Sequence, residues 1–182
     1  MRIIDIFVEE NSNLYTVQYD FDERDSLTIA YDKLTDTAEL REFFKQFKPD
    51  FEKFYGKQNL NKVVLQTIDE ADRLFNVLLE LADNDSETSL NELFKPLDNN
   101  EAEDSSYDFQ QLKAYSDNPG WIRLYAVRYG ESYVFTGGTI KLTQRMKDRK
   151  HTKFELDKLQ KVSEYLAERG EEGQIGYIDI QQ

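Results

Sequence analysis

Between Trp121 and Lys161 the chain carries ten Lys or Arg residues against four Asp or Glu. Arg123 stands near the start of this stretch and Lys141 at its middle, both on strand-like sequence. Arg145, Lys147, Arg149, Lys150 and His151 crowd a loop just ahead of a helical pattern. Cations grouped in this way suit phosphate chemistry, because a guanidinium or ammonium stabilises the charge that builds on phosphorus during attack. His151 is the only histidine, and an imidazole of ordinary pKa can exchange a proton near neutrality. The plainer alternative is that these charges are solvated or paired with carboxylates. The chain as a whole carries a formal charge of -13, so everything outside Trp121–Lys161 sums to -19 and the stretch itself to +6. That balance argues against general affinity for nucleic acid and leaves only a local anion site.

A hairpin must position these cations. Trp121 to Tyr129 alternates, with Ile122, Leu124 and Ala126 on one side and Trp121, Arg123, Tyr125, Val127 and Tyr129 on the other. Gly130 supplies the turn. A three-residue turn, Gly130-Glu131-Ser132, would set Arg123 opposite Thr139 and Trp121 opposite Lys141, with both cations on the face of Tyr125. A two-residue turn would send them to different faces, since a shift of one residue inverts a strand. Gly137-Gly138 marks a bulge or a close approach within the second strand, and its spacing is not that of a phosphate-cradling loop. Tyr125, Tyr129 and Tyr133 read either as base-stacking platforms beside cations or as cross-strand packing. Thr152 and Glu155 have capping-box spacing. They open a helix that buries Leu156, Leu159, Val162 and Leu166 and ends at Gly170. Its free amides would lie beside the basic loop.

The chain as a whole can supply a core. Its 182 residues include 12 Phe, 11 Tyr and no Cys, and 39% are hydrophobic. Disulfides and thiolate chemistry are therefore excluded, and no apolar run approaches the roughly 20 residues of a membrane span. A single domain of 1–182 is expected, without an export signal and cytoplasmic in character. Within it, 1–35 reads as an N-terminal hairpin (Arg2–Glu9 with Leu14–Tyr19, weakly extended by Leu27–Tyr31). The region 36–97 is helical. Asp36 and Glu39 cap one helix, Pro49 stops it, and Val64, Ile68, Ala71, Phe75, Leu78 and Ala82 stripe a long helix over Lys62–Ala82. The region 98–120 reads as an acidic loop, with none of the spacing of a calcium loop. The region 121–182 holds the hairpin, the last helix and a short strand at Gln174–Ile180.

Leu-Phe-Lys-Pro-Leu (Leu93–Leu97), the strand Trp-Ile-Arg-Leu-Tyr, a second strand ending Gly-Gly-Thr-Ile-Lys-Leu-Thr, a basic loop and His-Thr before a helix occur in that order. This order resembles the RelE/HigB-like toxin superfamily, in particular its phage-derived HigB-like branch, over about Leu90–Leu166. Arg123 matches the branch's strand arginine and Lys141 the first of its paired lysines. Leu142 stands where the second lysine would be, and His151-Thr152 where the branch has Thr-Pro.

The resemblance implies an α/β (α+β) fold, a twisted antiparallel sheet with helices packed on one side, here with an extra N-terminal hairpin. It implies a ribosome-dependent mRNA interferase, an endoribonuclease that uses no metal or other cofactor and belongs to a toxin-antitoxin or phage-derived module. An antitoxin protein and ribosome-bound mRNA would be its partners, with no membrane. Catalysis would fall to Arg123 and Lys141, with Arg145 and His151 added from the basic loop. The alternative is a non-catalytic protein-binding module on the same fold.

Overall fold

The computed structural model describes residues 1–6, 13–83, 89–98, 109–117 and 119–169, with the side chains of Phe109 and Arg169 outside the description. Arg2–Asp5 (β1) and Leu14–Gln18 (β2) form the expected antiparallel hairpin. The chain then turns into helix Ser26–Thr35 (α1) instead of extending the hairpin through Leu27–Tyr31. The reason is Asp25, whose carboxylate accepts from the amides of Leu27 and Thr28. Such a cap starts a helix, and Ala30 and Leu34, four apart, then bury one face.

Helix Thr37–Gln46 (α2) follows at once, capped by Asp36 through the amides of Ala38 and Glu39. Pro49 does not end helical structure but sits in the first turn of Lys48–Tyr55 (α3), where a missing N–H costs nothing. Gly56, at φ 73°, closes α3. The long helix Leu60–Ala82 (α4) buries Val64, Ala71, Phe75, Leu78 and Ala82 as its spacing predicts.

After a single turn of helix at Leu90–Leu93 (α5), the chain adds Lys95–Pro96 (β3) and Phe109–Ala114 (β4). Strand β4 corrects the reading of 98–120 as loop. Gln110, Gln111 and Lys113 hide the alternation, and among its described side chains Leu112 and Ala114 are the buried apolar ones. Pairing with β5 makes it a strand, so tertiary context decides what local pattern does not.

The centre of the sheet is Ile122–Tyr129 (β5) against Ser132–Ile140 (β6). The strand order is β1-β2-β6-β5-β4-β3. All joins are antiparallel except β2 with β6, which is parallel. The α+β class is as expected. Two details differ: the sheet is mixed, and helices cover both faces. Leu124, Ala126 and Phe135 pack with α1 through α5, while Tyr125, Val127 and Val134 pack with the last helix, Lys150–Arg169 (α6). Because β5 is apolar on both sides, a single layer of helices would leave one side wet. The final helix begins at Lys150, not at a Thr152 cap. The Thr152 hydroxyl donates to the carbonyls of Arg149 and Met146, inside the first turn. Gln174–Ile180 lies outside the described residues.

Candidate anion-binding site

The turn between β5 and β6 has two residues, Gly130 and Glu131, because Tyr129 pairs with Ser132. By itself this would separate Arg123 from Lys141. A bulge between Tyr125 and Ala126 of β5, opposite Thr136, then shifts the ladder by one residue. Beyond it Tyr125 pairs with Gly137 and Arg123 with Thr139. The Lys141 amide donates to the Trp121 carbonyl at 2.7 Å. Arg123 and Lys141 thus share the face of Tyr125.

A third cation joins them that the sequence reading missed. Lys113 pairs with Tyr125 across β4 and β5, and so falls on the same face. All three side chains are half-buried. Burial pushes the Lys141 ammonium down from its ordinary pKa, and the charges of Arg123 and Lys113 push it further. Lys113 is lowered by burial and by Arg123, with Asp98 opposing. The cluster therefore repels itself. Among the described residues Lys141 makes no ion pair.

Arg123 is held by backbone. Its Nη1 donates to the carbonyls of Gly120 at 2.8 Å and Ile122 at 2.7 Å. Its guanidinium lies 4.4 Å from the ring centre of Tyr115. The segment bearing those carbonyls is tied to α4 by Glu70. That buried carboxylate accepts from Ser116 Oγ at 3.0 Å and the Ile122 amide at 3.2 Å. Trp121 is buried and donates Nε1 to Thr67 Oγ1 at 2.9 Å. Lys113, Tyr115 and Glu70 escaped notice because their roles depend on β4 being a strand.

The other two candidates do not join the cluster. Arg145 is exposed and opens a 3-10 turn at Met146–Asp148, where its amide is received by the Asp148 carboxylate. His151 is half-buried, with its ring 5.1 Å from Phe43 and 4.8 Å from Phe47. Its Nε2 stands 3.0 Å from the Ile140 carbonyl and must carry the proton, since a carbonyl only accepts. Burial lowers its pKa most. Arg149, also in the loop, is engaged by Asp50 through two bonds of 2.6 Å each. The basic loop is thus partly neutralised by the chain's own carboxylates. Tyr125, Tyr129 and Tyr133 are buried and pack the hairpin, so none presents a free ring to a base.

Among the described residues no group of three or more His, Cys, Asp or Glu could hold a metal ion, and no helix is long and apolar enough to cross a membrane. No protein-family model, no curated protein and no solved structure matches this chain.

Proposed function

We propose that this protein binds the phosphodiester backbone of single-stranded RNA through Lys113, Arg123 and Lys141, and acts on it as a RelE/HigB-like endoribonuclease. One observation carries the reading: three half-buried cations share a face, and burial followed by the neighbouring positive charge lowers the pKa of Lys141 and of Lys113. An anion bound there relieves the repulsion and is favoured beyond its simple attraction. Tyr115 and the backbone anchors of Arg123 restrict that guanidinium before any ligand arrives, which reduces the ordering cost of binding.

In the reaction class concerned, the ribose 2′-oxygen attacks the adjacent phosphorus and the bond to the 5′-oxygen breaks. The products are a 2′,3′-cyclic phosphate and a 5′-hydroxyl. Arg123 would hold the phosphoryl oxygens. Lys141, its pKa lowered, would take the 2′-hydroxyl proton in its neutral form, and Lys113 would return one to the leaving oxygen. His151 has no part in this scheme, because its Nε2 proton is committed to Ile140.

The alternative is a non-catalytic binding module that receives an acidic protein segment on the same face. The separation of Arg145 and His151 from the cluster favours it. Induced expression and purified protein distinguish the two. The nuclease reading expects growth arrest and metal-independent RNA cleavage to cyclic-phosphate ends, both lost in Arg123→Ala with Lys141→Ala. Binding of an acidic peptide without RNA cleavage supports the module, and absence of any RNA or phosphate binding sinks the nuclease reading.

A further inference from the structure

Strand β2 accompanies β6 only as far as Phe135. Beyond that point the outer edge of β6 borders a cleft of about 220 Å³ between α1–α2 and α6. The ladder decides which backbone groups face it. Since Lys141 donates to Trp121 on the β5 side, and Arg123 and Tyr125 pair with Thr139 and Gly137, the alternate residues Gly138 and Ile140 turn their polar groups outward. Two side chains already stand in for a missing strand. Tyr19 donates its hydroxyl to the Thr136 carbonyl at 3.1 Å, and His151 serves the Ile140 carbonyl. Between them, the N–H and C=O of Gly138 and the N–H of Ile140 have no partner among the described residues. A donor, an acceptor and a donor in that order complement in charge one extended peptide backbone.

The walls fit the same occupant. Leu34, Leu40 and Phe43 make an apolar floor. At the mouth, Phe154 is 48% exposed and Phe21 58% exposed, with ring centres 6.0 Å apart. Exposed neighbouring aromatics mark interaction surfaces more often than isolated ones do. Lys33 on one wall and Lys161 beside Phe21 make no ion pair among the described residues. The same lining holds Glu39 and Glu155, the latter paired with Lys158 at 3.0 Å, so the walls set no charge on the occupant.

We infer that the β6 edge at Gly138–Ile140 is a docking site for an extended segment of a partner protein. The segment adds one short strand and places an apolar side chain on Leu34, Leu40 and Phe43.

The test uses the full chain and a phage-displayed library of linear seven-residue peptides, the best binder being resynthesised. Three results are expected. The amides of Gly138 and Ile140 slow in hydrogen exchange when the peptide is added. N-methylation of the peptide residue facing Gly138 weakens binding by about tenfold or more, the scale of one lost hydrogen bond. Phe154→Ser, at an exposed position, weakens binding while circular dichroism stays unchanged. Failure to enrich any peptide overturns the inference, as does indifference to N-methylation or protection confined to other amides. Protection that rises with protein concentration alone would assign the edge to a second copy and also overturn it.

Discussion

Arg123 faces Thr139 across β5 and β6 because the ladder slips by one residue at Thr136. A two-residue turn at Gly130 begins the hairpin in the register that would part Arg123 from Lys141, and the bulge restores the other. Gly137, the residue after the bulge, has φ 154°. A Cβ there would fall on the Glu155 carboxylate and the Lys158 ammonium, a buried pair bonded at 3.0 Å. Gly137→Ala is therefore expected to cost about 2–4 kcal/mol, combining backbone strain with displacement of a buried ion pair. Urea denaturation followed through Trp121 fluorescence measures it. A loss below roughly 0.5 kcal/mol, the range of ordinary surface changes, would mean that the pair does not sit over Gly137.

Arg123 and Lys141 were expected on one face only if the turn had three residues; it has two, and the bulge brings them together instead. Alternation predicts a register only up to a bulge, and a bulge depends on which neighbour fills the space over a glycine. Here that neighbour is Glu155, which local spacing assigns to a helix cap. Helices α2 and α4 were readable because their caps and apolar stripes are local. Lys113, Tyr115 and β4 were not, because Gln-Gln-Leu-Lys-Ala becomes a strand only beside β5. The pairing of Arg149 with Asp50 spans 99 residues and has no local signal.

His151 reports the environment of the β6 edge. Burial lowers its pKa below the ordinary 6.5. The unfolded chain then takes up a proton that the folded chain resists, so His151 contributes stability above pH 6.5 that is lost as pH falls through its folded value. As the only histidine, it gives a single imidazole resonance to titrate. That resonance should shift at a pH below 6.5, and a midpoint at or above that value would contradict the packing against Phe43 and Phe47. In His151→Gln the loss of stability between neutral and mildly acidic pH should shrink.

Glu70 should behave in the opposite sense. Burial raises its carboxyl pKa, opposed by bonds from Ser116, Ile122 and Trp121. One oxygen, Oε2, is buried without a hydrogen-bond partner among the described residues. Folding therefore favours the protonated acid, and the associated stability is present below the ordinary glutamate range and lost as pH rises through the folded value. Glu70→Gln keeps an acceptor for Ile122 and Ser116 while removing the charge. Relative to wild type it should gain stability steadily from acidic to neutral pH. A parallel pair of stability curves would show that Glu70 ionises in the folded protein as freely as in the unfolded chain.

Lys141 allows the anion site to be tested without assuming any reaction. Its ammonium is lowered by burial and then by Arg123 and Lys113, so the empty site is strained by its own charge. Lys141→Met keeps the apolar stem and removes one cation. At low ionic strength it should stabilise the empty protein by roughly a few tenths of a kcal/mol, a small effect because the group is half exposed and screened. Inorganic phosphate should do the reverse. Wild type should gain about 1.4 kcal/mol when phosphate reaches roughly ten times its dissociation constant, since binding only the folded state adds RT ln(1 + [L]/Kd). The variant should gain much less at the same concentration. Chloride at matched ionic strength separates screening from binding, because screening stabilises through either salt whereas a phosphate site responds to one. If phosphate and chloride raise the melting temperature of wild type equally, the cations at Lys113, Arg123 and Lys141 do not form an anion site, and the nuclease and acidic-segment readings both lose their support.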